Sequence, residues 1–206
     1  MTEPLQLVVK GLRCVRGGRN VFRTLDFSVS SGETLAVTGP NGSGKSSLLR
    51  LIAGFIPFER GSLALVGGAT ELTLPEQLHF VGHRDAVKPS LTVLENLAFW
   101  AAFLGGEPGR CDPQAALDRV GLGTLAALPA AFLSAGQRRR LSLARLIAIR
   151  RPIWLLDEPT TALDDAARVT VTTLMAEHIH DGGLIIAATH QPLGLDTREL
   201  RLGSKT

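Results

Sequence analysis

The segment GPNGSGKS at Gly39–Ser46 fits the phosphate-binding pattern G-x-x-x-x-G-K-[ST] and is the strongest indication of the fold of this chain. An apolar strand, TLAVT at Thr34–Thr38, leads into it, and an apolar helix that stops near Gly54 leaves it. Phosphate binding needs this order, since glycines let successive backbone N–H groups turn inward and the helix N-terminus adds its positive dipole end. A glycine-rich turn that merely joins two elements would explain neither the full pattern nor its context.

Two side chains of the loop have expected chemical tasks. Lys45 is placed to reach the β and γ phosphates of a nucleotide, and Ser46 is the expected Mg²⁺ ligand. A unit charge pair about 4 Å apart contributes roughly 4 kcal/mol at an effective dielectric of about 20, so the loss of Lys45 should outweigh any single backbone contact. The residues expected to bind the nucleotide here are Gly39, Pro40, Asn41, Gly42, Ser43, Gly44, Lys45, Ser46 and Ser47.

The segment IWLLDE at Ile153–Glu158 predicts a strand in the centre of a parallel sheet, because it is apolar without alternation until its end. There Asp157 is expected to hold Mg²⁺ through water, and Glu158 to orient or deprotonate the attacking water of a phosphoryl transfer. Pro159 prevents the strand pairing from continuing. A solvated strand end is the alternative for the two acids, and the upstream phosphate loop makes the catalytic interpretation specific.

The segment LSAGQ, which begins at Leu133, lies between these two motifs. Alone it predicts an ordinary helix start, with Ser134 as N-cap and Arg138–Arg140 as a solvated face of the helix. Between a phosphate loop and an acidic strand it resembles the signature motif of the ATP-binding cassette (ABC) family, usually LSGGQ, with Ala135 replacing the first glycine. In that family the motif of one copy closes on the γ-phosphate held by the other copy, so the resemblance implies a homodimer with two composite ATP sites. The implied nucleotide contacts are Ser134, Gly136 and Gln137.

The resemblance covers almost the whole chain in the order of its motifs. TTALD at Thr160–Asp164 matches the D-loop, where Asp164 is implied to contact the partner subunit at the nucleotide. LIIAA at Leu184–Ala188 predicts another buried strand, and His190 matches the switch histidine that hydrogen-bonds the γ-phosphate. A histidine after a strand is otherwise a packed or surface residue, and its place in the series favours the functional reading. The implied catalytic residues are Lys45, Glu158 and His190.

Two positions depart from the family pattern. Arg16 stands where most members have an aromatic residue that stacks on adenine, and a planar guanidinium can also stack on a base. His83, in FVGHR, falls at the Q-loop position and is therefore the third candidate for the metal site, beside Ser46 and Asp157. Because the charge of histidine changes near neutral pH, this substitution predicts an ATPase rate that depends on pH.

Helices are predicted between the phosphate loop and LSAGQ. Thr92 and Glu95 fit a capping box, and Asp112 with Pro113 opens a second helix that Gly121 closes. In the family, a helical subdomain that docks on a membrane partner lies here, at roughly residues 85–150. The apolar face predicted for the first helix consists of Leu94, Leu97, Ala98 and Ala101. Phe99, Trp100 and Phe103 form an aromatic stripe for which core is favoured over an interface, and no contacts are assigned from it.

The segment between the phosphate loop and the signature, together with the motifs that follow it, indicates one subfamily of the ABC family. GHRDAVKPSLTVLENLAFW at Gly82–Trp100, LSAGQRRRLSLARL and PIWLLDEP resemble the ATP-binding subunit of the haem exporter used in cytochrome c maturation. This implies an ATPase that uses ATP and Mg²⁺ and lies peripherally on the cytoplasmic face of the bacterial inner membrane. Its implied partners are the integral-membrane permease subunits of the cytochrome c maturation complex, which handle the haem themselves.

The bulk properties fit one such domain over residues 1–206. The expected fold is α/β, a P-loop NTPase of the ABC type, with a mostly parallel sheet flanked by helices and the helical subdomain inserted between phosphate loop and signature. A chain of 206 residues with 45% hydrophobic residues has room for one core and not for a second cassette. No secretory signal or apolar run of membrane-spanning length is recognised, so membrane attachment is expected through another protein. Isolated Cys14 and Cys111 disfavour a metal site or disulfide scaffold.

Two other functions stay open from the residues alone. A soluble cassette ATPase acting on ribosomes or DNA usually carries two cassettes or a long coiled-coil insertion, and neither is recognised here; with a net charge of only +3, no nucleic-acid partner is expected. A nucleotide-gated binding module with little turnover is kept open by Arg16 and His83.

Overall fold

The computed structural model describes residues 4–105 and 112–203, so Cys111 lies outside the described residues. The strands in these ranges are β1 (Gln6–Arg16), β2 (Arg19–Phe22), β3 (Phe27–Ser30), β4 (Thr34–Thr38), β5 (Arg60–Val66), β6 (Leu78–Val81), β7 (Ile153–Asp157), β8 (Leu184–Ala188) and β9 (Arg198–Arg201). The α-helices are α1 (Lys45–Ile52), α2 (Val93–Phe103), α3 (Pro113–Arg119), α4 (Ala135–Ala148) and α5 (Asp165–His180). Among the described residues, no helix combines the length and the apolar character that crossing a bilayer requires.

A parallel sheet carries the motifs. Its strand order is β6-β7-β8-β4-β9, and every residue of β7 and β8 is buried, as expected for central strands covered on both faces. The predicted strands at Thr34–Thr38 and Leu184–Ala188 are confirmed, and the third predicted strand ends one residue early, at Asp157. Because β4, β7 and β8 run parallel, the segments that follow them emerge at the same edge of the sheet.

A second, antiparallel sheet was not predicted. In it β1 pairs with β2, β3 and β5, and the side chains of β1 alternate between buried and partly exposed positions over much of its length. That alternation was the available signal in LQLVVKGLRCV, since period-2 burial is typical of an antiparallel strand with one solvated face.

The chain forms two compact units. The first comprises Met1–Gly82, Pro152–Glu158 and Ala176–Thr206, and the second comprises His83–Arg151 and Pro159–Met175. The core of the first unit surrounds the parallel sheet, and that of the second lies among α2, α3 and α4. One nucleotide-binding domain with a helical subdomain at roughly residues 85–150 stays a prediction, and the second compact unit differs from that range by including Pro159–Met175.

The buried face of α2 differs from the predicted one. Leu94 and Ala98 are exposed, whereas Val93 and Asn96 are buried; the other two predicted face residues are buried as expected. The reason is Asn96, whose amide accepts a hydrogen bond from the Lys88 backbone N–H at 2.8 Å and donates to the Lys88 carbonyl at 3.0 Å. A polar side chain with such partners belongs on the buried face, which a hydropathy pattern excludes.

The arginine run after the signature is not a solvated face, so that prediction was wrong. Arg139 is 4% exposed and pairs with Asp85 at 3.3 Å. Arg140 donates to the carbonyl of Val120, just past the end of α3, at 2.9 Å. One guanidinium group thus pairs with a carboxylate in the segment before α2, and the other bonds a carbonyl at the end of α3, so both connect α4 to other parts of the second unit.

The helix ends match their sequence signals. The capping box of α2 at Thr92 and Glu95 is present, and the Asp112 side chain accepts from the Ala115 N–H at 3.0 Å to cap α3. Gly121 takes a positive φ of 67° after α3, the left-handed conformation typical of a helix stop.

Candidate functional site

The phosphate loop joins the end of β4 to the start of α1, and its glycines are required by space as well as by backbone angle. Gly39 and Gly44 have φ of 135° and 102°. A Cβ on Gly39 would lie 2.3 Å from the carbonyl oxygen of Leu202, and one on Gly44 would lie 2.3 Å from Cγ1 of Val21. The first unit therefore encloses the loop closely on both sides, and neither position accepts a side chain.

Lys45, the first residue of α1, points back into this loop. It is 8% exposed, and its Nζ donates to the carbonyls of Gly39 at 2.8 Å and Pro40 at 3.2 Å. These two carbonyls hold the ammonium group beside the curled backbone. A buried cation in this position favours an anionic ligand in the loop, since charge attraction strengthens where water is excluded.

Two predicted Mg²⁺ ligands, Ser46 of the phosphate loop and Asp157 at the end of β7, lie next to each other. Ser46 Oγ donates to Asp157 Oδ1 at 3.1 Å, although the residues are 111 positions apart in the chain. Asp157 is buried at the end of β7, so the loop serine meets the central strand directly. A hydroxyl and a carboxylate are oxygen ligands of the kind Mg²⁺ prefers, and this pair fits such an ion.

Glu158 and His190 lie next to each other beyond the same edge of the sheet. His190 Nε2 is 3.6 Å from Glu158 Oε1, which is too long for a hydrogen bond but short enough for attraction once the imidazole is protonated. The Glu158 backbone has a positive φ of 51°, and its N–H donates to the carbonyl of Ala188 at 2.9 Å. The carboxylate is thus held just past β7 by a conformation that non-glycine residues rarely adopt, as is common at functional sites.

Thr189 is a site residue that the sequence reasoning missed. It is buried, and its Oγ1 accepts from the N–H of Gln191 at 3.0 Å and donates to the Gln191 carbonyl at 2.8 Å. The hydroxyl therefore closes the turn that presents His190. The signal was present, because a threonine that directly follows an apolar strand is a frequent turn former.

The remaining predicted residues lie elsewhere. Arg16 is in the first unit, exposed at the end of β1 and opposite Arg19 in the antiparallel pair. His83, exposed, is the first residue of the second unit. The second unit also contains the signature and D-loop residues Ser134, Gly136, Gln137 and Asp164.

The signature segment forms the N-terminus of α4. Ser134 Oγ accepts from the Gln137 N–H at 3.2 Å, and Gln137 Oε1 accepts from the Ser134 N–H at 2.8 Å, which makes a reciprocal capping box. The first N–H groups of a helix have no acceptor within the helix, so this exposed end offers donors and a positive dipole end to an anion. The N-cap prediction for Ser134 is confirmed.

The D-loop residue Asp164 caps α5. Its Oδ1 accepts from the N–H of Ala167 at 2.8 Å, and its carbonyl accepts from the N–H of Arg168 at 2.9 Å. The exposed carboxylate is therefore fixed in direction by the helix that follows.

The profile of the ABC transporter family matches residues 22–161, more than half of the chain. The chain belongs to this family. Relatives match it over nearly their whole length: the cytochrome c biogenesis ATP-binding export protein CcmA of Bradyrhizobium diazoefficiens is 63% identical over 97% of this chain and 98% of that protein. The protein of the same name from Rhodopseudomonas palustris strain BisB18 is 62% identical, also over 97% of this chain and 98% of its own length.

Solved structures confirm the predicted ABC fold. An ABC transporter ATP-binding protein from Pyrococcus furiosus superposes with a TM-score of 0.80 at 21% identity, covering 96% of this chain and 97% of that one. An ATP-binding subunit of an ABC transporter superposes with a TM-score of 0.79 at 25% identity, covering 89% and 79%. As a member of the ABC family, the chain is an ATPase, and ATP is its nucleotide.

Proposed function

We propose that this ABC ATPase is the ATP-hydrolysing subunit of a membrane transporter complex, and that it couples ATP binding and hydrolysis to haem export, or to release of a haem-loaded chaperone, in cytochrome c biogenesis. The observation that carries the transport system is the 63% identity, over 97% of the chain, to a protein named for ATP-binding export in cytochrome c biogenesis. Hydrolysis is supported by four residues that lie at the sheet edge where β4 leads into the phosphate loop: Ser46, Asp157, Glu158 and His190.

Each of these residues has a role in the proposed reaction. Backbone N–H groups within the phosphate loop, Gly39–Ser47, and the Lys45 ammonium bind the triphosphate. Ser46 directly and Asp157 through water would hold Mg²⁺, which neutralises charge on the β and γ phosphates when bound. Glu158 orients or deprotonates the attacking water, and His190 binds the γ-phosphate oxygen and registers its departure.

The signature and D-loop residues are proposed to act on the nucleotide of a second copy. Ser134, Gly136 and Gln137 form a helix N-terminus with an exposed hydroxyl, which suits the γ-phosphate. Asp164 contacts the second copy next to this γ-phosphate. Two copies then form two composite sites. Arg16 stacks on the base, and His83 takes the place of the Q-loop glutamine near the metal.

An aromatic surface on α2 supports docking on an integral-membrane partner. Phe99 and Phe103 are 56% and 69% exposed and stack at 6.0 Å, so their interpretation as core was wrong. Trp100 between them is anchored instead: its indole N–H donates to the Ala86 carbonyl at 3.1 Å, and the guanidinium of Arg145 lies 4.3 Å from its ring centre. Exposed aromatic side chains over a fixed tryptophan are typical of protein contact surfaces.

The proposed partners are the permease subunits of the cytochrome c maturation complex, which would hold the chain at the cytoplasmic face of the bacterial inner membrane and handle haem themselves. An ATPase of another ABC transporter would share the first-unit site and differ only in partner. A binding module with little turnover is disfavoured by the Glu158–His190 pair, because ATP binding alone does not require a carboxylate and a histidine beside the attacking water.

One purification tests the proposal. Glu158→Gln should stop hydrolysis while preserving ATP binding, so the tagged variant is purified from detergent-solubilised membranes with ATP and Mg²⁺. We expect multi-spanning cytochrome c maturation proteins and haem absorbance to accompany it. A Glu158→Gln/Lys45→Ala double variant is the matched control and should lose the ATP-dependent part of this association. Recovery of a different permease would leave the ATPase in place and refute the haem assignment, and a chain recovered without any membrane protein would refute both the partner and the transport role.

A further inference from the structure

Three residues other than glycine have a clearly positive φ in the described part of the chain: Ala86 at 52°, Glu158 at 51° and Ala162 at 65°. This left-handed conformation is unfavourable for an L-residue with a Cβ, and alanine has no polar side chain that could offset it by a local hydrogen bond. Each of the three lies in a motif segment. Ala162 lies inside the D-loop segment TTALD, and its backbone carbonyl lies against the signature motif.

That contact is with Gly136 of the signature. A Cβ placed on Gly136 would lie 2.9 Å from the carbonyl oxygen of Ala162. Both residues belong to the second compact unit, so this is a contact within one unit of one chain. The obstructing atom is backbone, which cannot turn aside as the end of a flexible side chain can. Glycine at 136 is therefore required by the D-loop of its own chain, independently of any contact with a nucleotide.

Both sides of the contact are held in place by other interactions. On the D-loop side, Thr160 and Leu163 are buried, and Asp164 caps α5 through the Ala167 N–H. On the signature side, the reciprocal capping box fixes the first turn of α4. Because both segments are anchored on either side of the contact, the backbone conformation of Ala162 sets how close its carbonyl comes to Gly136.

We propose that Ala162 is a positioning residue: its left-handed backbone sets its carbonyl against Gly136 and so fixes the signature Ser134 and the D-loop Asp164 as a single surface. For its catalytic consequence this inference rests on the proposed function, in which that surface closes on the nucleotide of a second copy. A displacement of either motif would then disturb both contacts at once, although the phosphate loop that binds ATP is unchanged.

The contact itself is tested by thermal unfolding of the full chain without ATP. Gly→Ala in a helix normally stabilises a protein, so a Gly136→Ala variant would be expected to have a raised Tm. The inference predicts the opposite, a Tm lowered by about 3 to 6 °C. Adding Ala162→Gly should restore at least half of the loss, because glycine lets the turn move without strain. Ala86→Gly is the matched control: it relieves the same conformation at a site that the Gly136 contact does not involve. Its effect on Tm should be the same in the parent and in the Gly136→Ala background, whereas Ala162→Gly should raise Tm more in the Gly136→Ala background than in the parent.

The positioning role is tested by ATP hydrolysis in the membrane-solubilised complex of the full chain. Gly136→Ala should lower kcat about tenfold with little change in the affinity of the single chain for ATP, and Ala162→Gly should recover part of that loss. A raised Tm for Gly136→Ala, or additive effects in the double variant, would overturn the inference. Coupled Tm values with an unchanged kcat would reduce the contact to a structural one and overturn the positioning role. If the Tm values of the variants are coupled but the wild-type complex hydrolyses no ATP, the contact is supported and the proposed function is refuted.

Discussion

The phosphate loop and the α2–α4 region of this ABC ATPase are built from different interactions. In the loop, backbone geometry dominates: glycines take positive φ, and Lys45 bonds to carbonyls five and six positions away. Around α2 and α4, polar side chains hold distant segments together, such as Arg139 with Asp85, 54 positions away. The phosphate loop therefore depends on a short run of chain, whereas the helical unit depends on a few buried polar groups that join distant segments.

The greatest change is expected in ATP affinity when the phosphate loop loses Lys45. Lys45→Ala removes the cation that the loop carbonyls hold, and we expect ATP affinity to fall about 100- to 1,000-fold, given a charge interaction of roughly 4 kcal/mol at about 4 Å. Lys88→Ala is the control, because that exposed lysine lies in the second unit, and ATP affinity should stay unchanged. Equilibrium binding of a fluorescent ATP analogue gives both values. Equal affinity in Lys45→Ala and the parent would refute the loop assignment.

A smaller loss of stability is expected when the buried amide of Asn96 is removed from the helical unit. Asn96→Leu keeps the size of a buried side chain but leaves the N–H and carbonyl of Lys88 without their side-chain partner, so the free energy of unfolding should fall by about 2 to 4 kcal/mol. The reverse substitution, Leu94→Asn, lies on the exposed side and should change it by less than about 0.5 kcal/mol. Urea unfolding measures both. A hydropathy argument expects the opposite order, and finding that order would show that α2 packs by its apolar pattern alone.

These two sites mark what could be predicted from the sequence. The loop, the strand ends that carry Asp157 and His190, and the caps at Ser134 and Asp112 were predictable, because their chemistry is local or fixed by parallel strands. The buried face of α2 and the roles of the arginines were not, since these depend on which distant carbonyl or carboxylate a polar side chain meets. Ala162 illustrates the same limit: TTALD predicts a motif, but only the fold shows that its carbonyl lies against Gly136.

A third prediction concerns stability in acid. His178 stacks on Trp154 of β7 at 3.9 Å, and burial lowers the pKa of its imidazole to about 4. An unfolded chain has this pKa near 6.5, so between about pH 6.5 and pH 4 the unfolded state binds a proton that the folded state excludes. The free energy of unfolding should therefore fall by about 2 kcal/mol as the pH drops across this window, after allowance for the partly exposed ring.

The control for that titration is His178→Phe, which keeps an aromatic ring beside Trp154 and cannot bind a proton. Its unfolding free energy should lose this part of the pH dependence while the parent keeps it, as measured by chemical unfolding at pH 4.5, 5.5 and 7. Parallel pH profiles for the two proteins would show that the acid sensitivity arises elsewhere. An ionisable group therefore lies next to the first four residues of β7, IWLL, whose composition predicts only apolar packing.

The weakest effect is expected at His83, the first residue of the second unit, which stands at the Q-loop position. The sequence predicts an ATPase rate that depends on pH because histidine replaces glutamine here, and the test compares the rate of the parent complex with that of His83→Gln between about pH 6 and 8.5. The variant should have the flatter pH profile and a nearly unchanged ATP affinity, because the phosphate loop is untouched. Profiles of the same shape in both complexes would exclude the pH dependence predicted for this position and leave His83 only the hydrogen-bonding role of a glutamine.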